Sequence, residues 1–353
     1  ELSIMGAGAI KHPQEVDEFH QKYETKERLG IGSTAIVKRC VRKSDGKVFA
    51  VKIIDKDRIK DRPEELRILH REMEIMHKVN HRNCIKYYEF LKCKRKYYIV
   101  MELLTGGELV ERILSREGKF SEREASAIIR TIAQALAYLH TQGIVHRDLK
   151  PHNLIYESRD DRARLKLTDF GFARFKKKDE VMSTSCGTPD YVAPEVLVSH
   201  PQYTEAVDVW SLGVILYILL CGSPPFFSES TPQLYKQIRA GACEMPEEHW
   251  GNVTKYAKDL VRRMLSVDPK ARITPKEILK HPWISGRRAS TIAFDPKHAL
   301  EIKKLVARKK ILMVGRMAAS VGILKNILVG RYCSPEPDDS KKNRDSAAII
   351  KKS

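Results

Sequence analysis

The chain has 353 residues, enough for two lobes around a sizeable core, and its 42% apolar and 31% charged residues exclude a fibrous or low-complexity chain. Its formal charge of +19 is unusual: from Ser285 onward 16 Lys and Arg stand against 6 Asp and Glu, a net +10, which leaves +9 for the first 284 residues. Seven cysteines with no C-x-x-C pair argue against a disulfide framework or zinc site and for a reducing, cytoplasmic compartment with nuclear entry open, and the longest apolar run, Val209 to Cys221, is too short to cross a bilayer.

Residues 1–22 carry no strong periodicity and are expected to form a loose extension without a function. From Tyr23 the pattern alternates, and Leu29 to Val37 reads as strand, tight turn, strand, with Gly30 and Gly32 leaving room for the backbone to approach a phosphate. A turn at Lys43-Ser44-Asp45-Gly46 leads into the apolar strand Val48 to Lys52. A lysine at such a strand's end has a bland reading, a solubilising charge on an edge strand, and a functional one, an aimed cation. Apolar residues at Leu66, Leu69, Met73, Met76 and Val79 have helical spacing, so Glu64 to Val79 is expected to be a helix offering Glu72 or Glu74 as partner for Lys52.

Tyr97 to Leu104 reads as a strand running into a connector, after which Thr105-Gly106-Gly107-Glu108 opens a helix. The capping box Ser121-Glu122-Arg123-Glu124 starts a long amphipathic helix through Leu139. That helix delivers His146-Arg147-Asp148-Leu149-Lys150-Pro151-His152-Asn153, and the short strand Leu165 to Thr168 then presents Asp169-Phe170-Gly171. Val209 to Cys221 is expected to be a buried helix, and Thr274-Pro275-Lys276-Glu277 caps a late short one before His281-Pro282-Trp283.

Asp148, Lys150, Asn153 and Asp169 form a phosphoryl-transfer kit. A phosphoryl group moving between oxygens spreads negative charge, so the protein must supply cations and a carboxylate that orients the attacking hydroxyl. Asp169 and Asn153 offer hard oxygens of the kind Mg²⁺ accepts, Asp148 is left to face the hydroxyl, and Lys150 can reach the group in transfer.

HRD, KPxN and DFG in this order, with the glycine turn and Ala50-Val51-Lys52 upstream, resemble the eukaryotic protein kinases over approximately Tyr23 to Ile284. The resemblance implies an α+β bilobal fold: a mainly β N-lobe with one helix over 23–103 and a mainly α C-lobe over 104–284. It implies ATP and Mg²⁺ as cofactors, with Asp148, Lys150, Asn153, Asp169, Lys52 and Glu72 as catalytic residues and Asn153 and Asp169 as metal ligands. The nucleotide pocket would be Leu29, Gly30, Gly32, Val37, Ala50, Lys52, Met101, Glu102, Leu104, Glu108 and Ile155, with Met101 as gatekeeper and Glu102 and Leu104 meeting adenine through their backbone. Ala35 replaces the third glycine of the family's loop. Thr188 would partner Asp148 and Lys150 and mark Ser/Thr specificity; Asp208 would bond the catalytic-loop backbone, and Glu195 would pair with Arg272.

Within the family the chain is similar to the calcium/calmodulin-dependent group. That likeness makes Thr184 an activating phosphorylation site for an upstream kinase, with Arg147 as the cation such a phosphate would neutralise. Glu108 would accept a substrate Arg at −3, whereas His152 and Ile218 stand where basophilic relatives carry the acids that read Arg at −2. Arg287 and Arg288 place Arg at −3 of Ser290 and Thr291, so autophosphorylation is expected at one of these.

His298 to Leu328 reads as a basic amphipathic helix inside a regulatory segment 285–330, followed by a disordered tail 331–353. Its position after the catalytic domain favours autoinhibition and calmodulin binding through Lys304, Arg308, Lys309, Lys310, Ile311 and Leu324, the last two as spaced anchors. Two competing readings are a catalytically silent scaffold and an active kinase whose tail binds anionic membrane. No nucleic-acid partner is expected.

Overall fold

The computed structural model describes residues 17–31, 35–115, 120–175, 188–198, 203–286 and 288–308. The chain divides into two compact units, 1–302 and 303–353. Of the second, residues 303–308 are described and are helical. No described helix is long and apolar enough to cross a membrane.

The first unit opens with α1 (Glu18–Lys22), which the extension expected for residues 1–22 did not include. Asp17 caps it by accepting the His20 amide, and Phe19 is fully buried between Tyr98 and Tyr23, with ring centroids at 4.1 and 5.3 Å. The Tyr98 hydroxyl donates to Asp17 Oδ2 at 3.0 Å and Lys22 Nζ to Glu89 Oε1 at 2.6 Å, so a five-residue helix too short to stand alone is fixed by stacking and by hydrogen bonds to the sheet. Sequence periodicity had no purchase on it, because one turn of helix shows no repeat.

Five strands follow as an antiparallel sheet in the order β1-β2-β3-β5-β4: β1 (Tyr23–Ile31), β2 (Ala35–Arg42), β3 (Val48–Asp55), β4 (Tyr87–Lys92) and β5 (Lys96–Met101). Lys52 is therefore on the central strand, which disposes of the edge-strand reading. Between β3 and β4 lie α2 (Lys56–Ile59) and α3 (Pro63–Lys78); α3 has Pro63 in its first turn, acids at its start and His77 and Lys78 at its end, all favourable to its dipole. It buries Leu69, Met73, Ile75 and Met76 together with Glu72.

The larger lobe runs α4 (Leu109–Leu114), α5 (Glu122–Thr141), β6 (Ile144–Val145), β7 (Leu154–Tyr156), β8 (Leu165–Leu167), β9 (Arg174–Phe175), α6 (Ala206–Cys221), α7 (Thr231–Ala240), α8 (Glu247–Trp250), α9 (Lys255–Met264), α10 (Pro275–Lys280) and α11 (Pro282–Ser285). Helix α6 is buried along nearly its whole length, as its apolar run requires. The carboxylate of Glu122, 1% exposed, accepts from the Thr254 amide and hydroxyl and from Trp283 Nε1 at 2.7 to 2.8 Å, tying the start of α5 to α9 and α11.

Residues 288–302, expected to belong to the regulatory segment, pack as part of this lobe. Ser121 bridges Ala293, Phe294 N donates to Phe120 O at 2.8 Å and Arg123 N to Ser290 O at 2.9 Å. His298 stacks on Phe294 and Phe120 and donates Nε2–H to Leu219 O at 3.0 Å, while Ile302 is 1% exposed. Gly222, the left-handed cap of α6 at φ 84°, makes this approach possible: a Cβ there would come within 2.9 Å of Glu301 Cβ.

Candidate active site

The register of the sheet places Gly30 opposite Val37, Val37 opposite Lys52, and Ala50 opposite Met101. Residues two apart on a strand share a face, so Val37, Ala50, Lys52 and Met101 form one wall. A Cβ at Gly30 would meet nothing within 4 Å, so the space beside that backbone is open. Leu29 is exposed and Ala50 buried; Gly32 lies outside the described residues.

Lys52 Nζ bonds Glu72 Oε1 at 2.7 Å, so of the two glutamates considered on α3 the buried one is the partner, while Glu74 faces Lys78 at 3.7 Å. Burial alone would lower the Lys52 pKa, but the carboxylates of Glu72 and Asp169 outweigh it and hold the ammonium above its ordinary value. Lys52 therefore stays charged between the two acids.

On the other wall, α5 feeds the catalytic loop. Asp208, fully buried on α6, accepts from the amides of His146 at 2.9 Å and Arg147 at 2.8 Å, and from His140 Nε2 at 2.9 Å. Burial would raise its pKa, but the His140 hydrogen bond and charge and the amide donors bring it below the usual value. These bonds sit beside a backbone outlier, for Arg147 has φ 67°, a conformation costing a bulky residue on the order of 1–3 kcal/mol. His140 and the Tyr203 hydroxyl, which accepts from Arg147 Nη1 at 3.0 Å, were not singled out in the sequence. Neither carries a motif.

Asp148 is 4% exposed and already arranged as an acceptor. Its Oδ1 takes the Thr188 hydroxyl at 2.9 Å and amide at 3.1 Å; its Oδ2 takes Lys150 Nζ at 2.6 Å and Asn153 Nδ2 at 3.3 Å. Lys150 Nζ also donates to Thr188 Oγ1 at 3.0 Å, closing a triangle of base, cation and hydroxyl. Asn153 donates its amide to Asp148 O at 2.8 Å, which leaves its side-chain oxygen as an acceptor. Asp169, at φ 61°, is the second backbone outlier and lies close enough to influence Lys52. Among the described residues no three His, Cys, Asp or Glu gather as a metal cage. Two oxygen donors with the rest left to phosphate and water suit Mg²⁺.

The connector between the lobes follows Met101. Gly106 N donates to Tyr156 O and Tyr156 N to Gly107 O, both at 3.0 Å, and a Cβ at Gly106 would lie 2.1 Å from Ser158 O, so only glycine fits. Glu108 caps α4 in a box with Glu111, bridges Ile155 and stands 3.9 Å from the exposed His152 imidazole; Glu102 and Leu104 are half-buried along the same connector. Arg272 meets Glu195 through two bonds of 2.7 and 2.9 Å.

The regulatory candidates are scattered. Thr184 and Arg287 lie outside the described residues, as do Lys309, Lys310, Ile311 and Leu324. Ser290 is half-buried with its hydroxyl accepting the Ile292 amide, and Thr291, Lys304 and Arg308 are exposed. Ile218 is buried within α6.

A family-level comparison matches the protein kinase domain over residues 23–284. The chain belongs to the protein kinase family. Among curated proteins, this kinase is 41% identical over 304 residues to calcium/calmodulin-dependent protein kinase type 1 of Caenorhabditis elegans, covering 86% of each chain. It is 43% identical over 301 residues to the type II alpha chain of Drosophila melanogaster, covering 85% of this chain and 56% of that one. It is 42% identical over 274 residues to myosin light chain kinase A of Dictyostelium discoideum, covering 77% of this chain and 91% of that one. It is a Ser/Thr kinase of the calcium/calmodulin-dependent group that uses ATP.

Proposed function

We propose that the kinase transfers the γ-phosphoryl group of ATP to Ser or Thr in protein substrates carrying Arg at −3, and that the segment after the catalytic domain restrains it until calmodulin binds. The observations that carry the catalytic half are the triangle of Asp148, Lys150 and Thr188 and the Lys52–Glu72 pair, whose lysine also feels Asp169. Adenine would lie between Val37, Ala50 and Met101 above and Ile155 below, bonded to the backbone of Glu102 and Leu104. The glycine turn and Lys52 would hold the phosphates, with Glu72 aiming Lys52. Asp148 would exchange Thr188 for the substrate hydroxyl, orient it and take its proton, while Lys150 would stabilise charge on the group in flight. Mg²⁺, held by Asn153 and Asp169, would neutralise the phosphate oxygens.

Glu108 supports Arg at −3 as an acid at the rim of the cleft, and His152 beside it offers a second arginine no carboxylate. A receptor for phosphate on Thr184 is supported by Arg71, Arg147 and Arg174, three cations on different elements close enough for burial and mutual repulsion to lower the Arg71 pKa. Calmodulin control is supported by the group names of the relatives and by the basic, bulky composition from Lys303 on. An assay of a peptide with Arg at −3, with and without Ca²⁺/calmodulin, on the full chain and on a chain ending at Ile302, tests both halves. Transfer by neither chain would sink the catalytic proposal; equal transfer by both, indifferent to calmodulin, would sink the regulatory one.

A further inference from the structure

Lys166 has no part in the chemistry above, yet it is 5% exposed. A buried ammonium is costly unless paired and hydrogen-bonded. Lys166 stands at the centre of β8, three residues before Asp169, between Leu165 and Leu167 of the core. Its Nζ reaches across to Glu102 Oε1 at 2.8 Å.

That oxygen has a second donor. The amide of Lys86 meets it at 2.5 Å, while the amide of Glu102 donates to Lys86 O at 2.9 Å. Residues 83–86 are in turn stitched to β8, by Ile85 N to Leu167 O at 2.9 Å, Leu167 N to Asn83 O at 2.8 Å and Asn83 Nδ2 to Leu165 O at 3.0 Å. One carboxylate thus joins the interlobe connector, the segment entering β4 and the strand that leads to Asp169. The Glu102 side chain is 14% exposed, so the attraction is little screened. Because a buried ion pair gives small net stability over apolar residues of like volume, its main effect is to fix geometry.

We infer that Lys166 is a positioning residue for phosphoryl transfer: through Glu102 it fixes the connector that meets adenine relative to the end of β8 that presents Asp169, so the nucleotide is gripped at both ends in register. The inference rests on the kinase reading of the cleft. Without the tie, the two ends of the nucleotide site are joined only indirectly, through the bonds that residues 83–86 make to Glu102 and to β8, and their register loosens. Binding weakens, while the step after binding keeps its groups.

The test uses the full chain and the variants Lys166→Met, Lys166→Arg, Glu102→Gln and Lys166→Met/Glu102→Gln, reading mant-ADP affinity with Mg²⁺, the KM for ATP, kcat at saturating ATP and thermal stability. Glu102→Gln leaves the backbone that would meet adenine in place. Loss of a charge-assisted bond predicts that Lys166→Met and Glu102→Gln each raise Kd and KM roughly tenfold with kcat held within about twofold, the double variant being no weaker than the worse single one. Lys166→Arg keeps the charge and is expected to recover most of the affinity. An unchanged Kd in Lys166→Met alongside a lower Tm, or single effects that multiply in the double variant, would overturn the inference. Failure of the unaltered chain to bind mant-ADP would sink the catalytic proposal instead, so the two failures are distinguishable.

Discussion

In the cleft the close contacts are between charges on partly or fully buried groups, Lys52 to Glu72 at 2.7 Å and Lys150 to Asp148 at 2.6 Å, whereas the segments flanking the catalytic core, 17–22 and 288–302, bury stacked rings and apolar side chains and keep their charged contacts, such as Lys22 to Glu89 at 2.6 Å, nearer the surface. The cleft also contains both non-glycine outliers among the described residues, Arg147 and Asp169, while the flanks sit in relaxed backbone with glycine at the close approach. The difference has a physical reason. Under the proposed function the site exchanges Thr188 for a substrate hydroxyl and would need contacts that reform cheaply, which charge-assisted bonds in a polar cleft do; a segment that only needs to stay put gains most from apolar burial. The comparison predicts that damage to the cleft removes turnover and spares stability, and that damage to the flanks does the reverse.

The largest effect is expected from Asp148→Asn, which keeps shape and the acceptor for Thr188 but loses the charge and the proton acceptor. kcat should fall by roughly 10³-fold, with the melting temperature nearly unchanged. A variant that retains a tenth of the activity would mean that Asp148 is not the base. Next comes Phe19→Ala, at the other pole. Emptying a fully buried aromatic site should cost about 3–5 kcal/mol of stability while the KM for ATP of the folded protein stays within about twofold. Calorimetry beside steady-state kinetics decides it, and a change in KM without a loss of Tm would break the contrast.

The same contrast explains what could be read without coordinates. Asp148, Lys150, Asn153 and Asp169 were legible because their chemistry dictates residue types at fixed short spacing, and Lys52 could be traced to α3 because a lysine aimed at phosphate needs an acid behind it. The choice of Glu72 over Glu74 came from family register, and the structure supplies the physical ground: Glu72 is on the buried face with Met73 and Met76. Lys166 was passed over inside an apolar triplet, although a lysine between two leucines on a strand is itself a signal that something pairs with it. Phe19 had no signal, since its partners Tyr23 and Tyr98 are 4 and 79 residues away and a single turn of helix has no period. His298 was read as the start of a basic helix, because charge pattern cannot separate the turns that dock on Phe120 from those beyond Ile302.

A smaller effect sharpens the boundary on the C-terminal flank. Gly222→Ala would force a left-handed residue and drive its Cβ to 2.9 Å from Glu301 Cβ and 3.0 Å from His298 O. The cost should be about 1–3 kcal/mol, felt as earlier melting and faster amide exchange over 294–302. Exchange at β3 and in the catalytic loop should be unchanged. If protection is lost there as well, 288–302 is coupled to the cleft and the two regions are not independent.

The smallest effect is the pH response of the same flank. Burial between Phe120, Phe294 and Leu219 pushes the His298 pKa below its ordinary 6.5, only partly opposed by the bond to the Leu219 carbonyl. The folded state therefore binds its proton later than the unfolded state as pH falls. By linkage the His298 contribution to stability is fully present above pH 6.5 and is lost progressively between that value and the lower folded-state pKa. Amide exchange over 294–302 should accelerate on going from pH 7.5 to pH 5.5, after correction for the intrinsic rate, and His298→Gln, which keeps a donor for Leu219 but cannot titrate at these pH values, should flatten that response. A flank whose protection rises as pH falls would mean that a carboxylate, with Asp295 and Glu301 the nearest in sequence, captures the imidazolium, and ring burial would then no longer be what sets its charge.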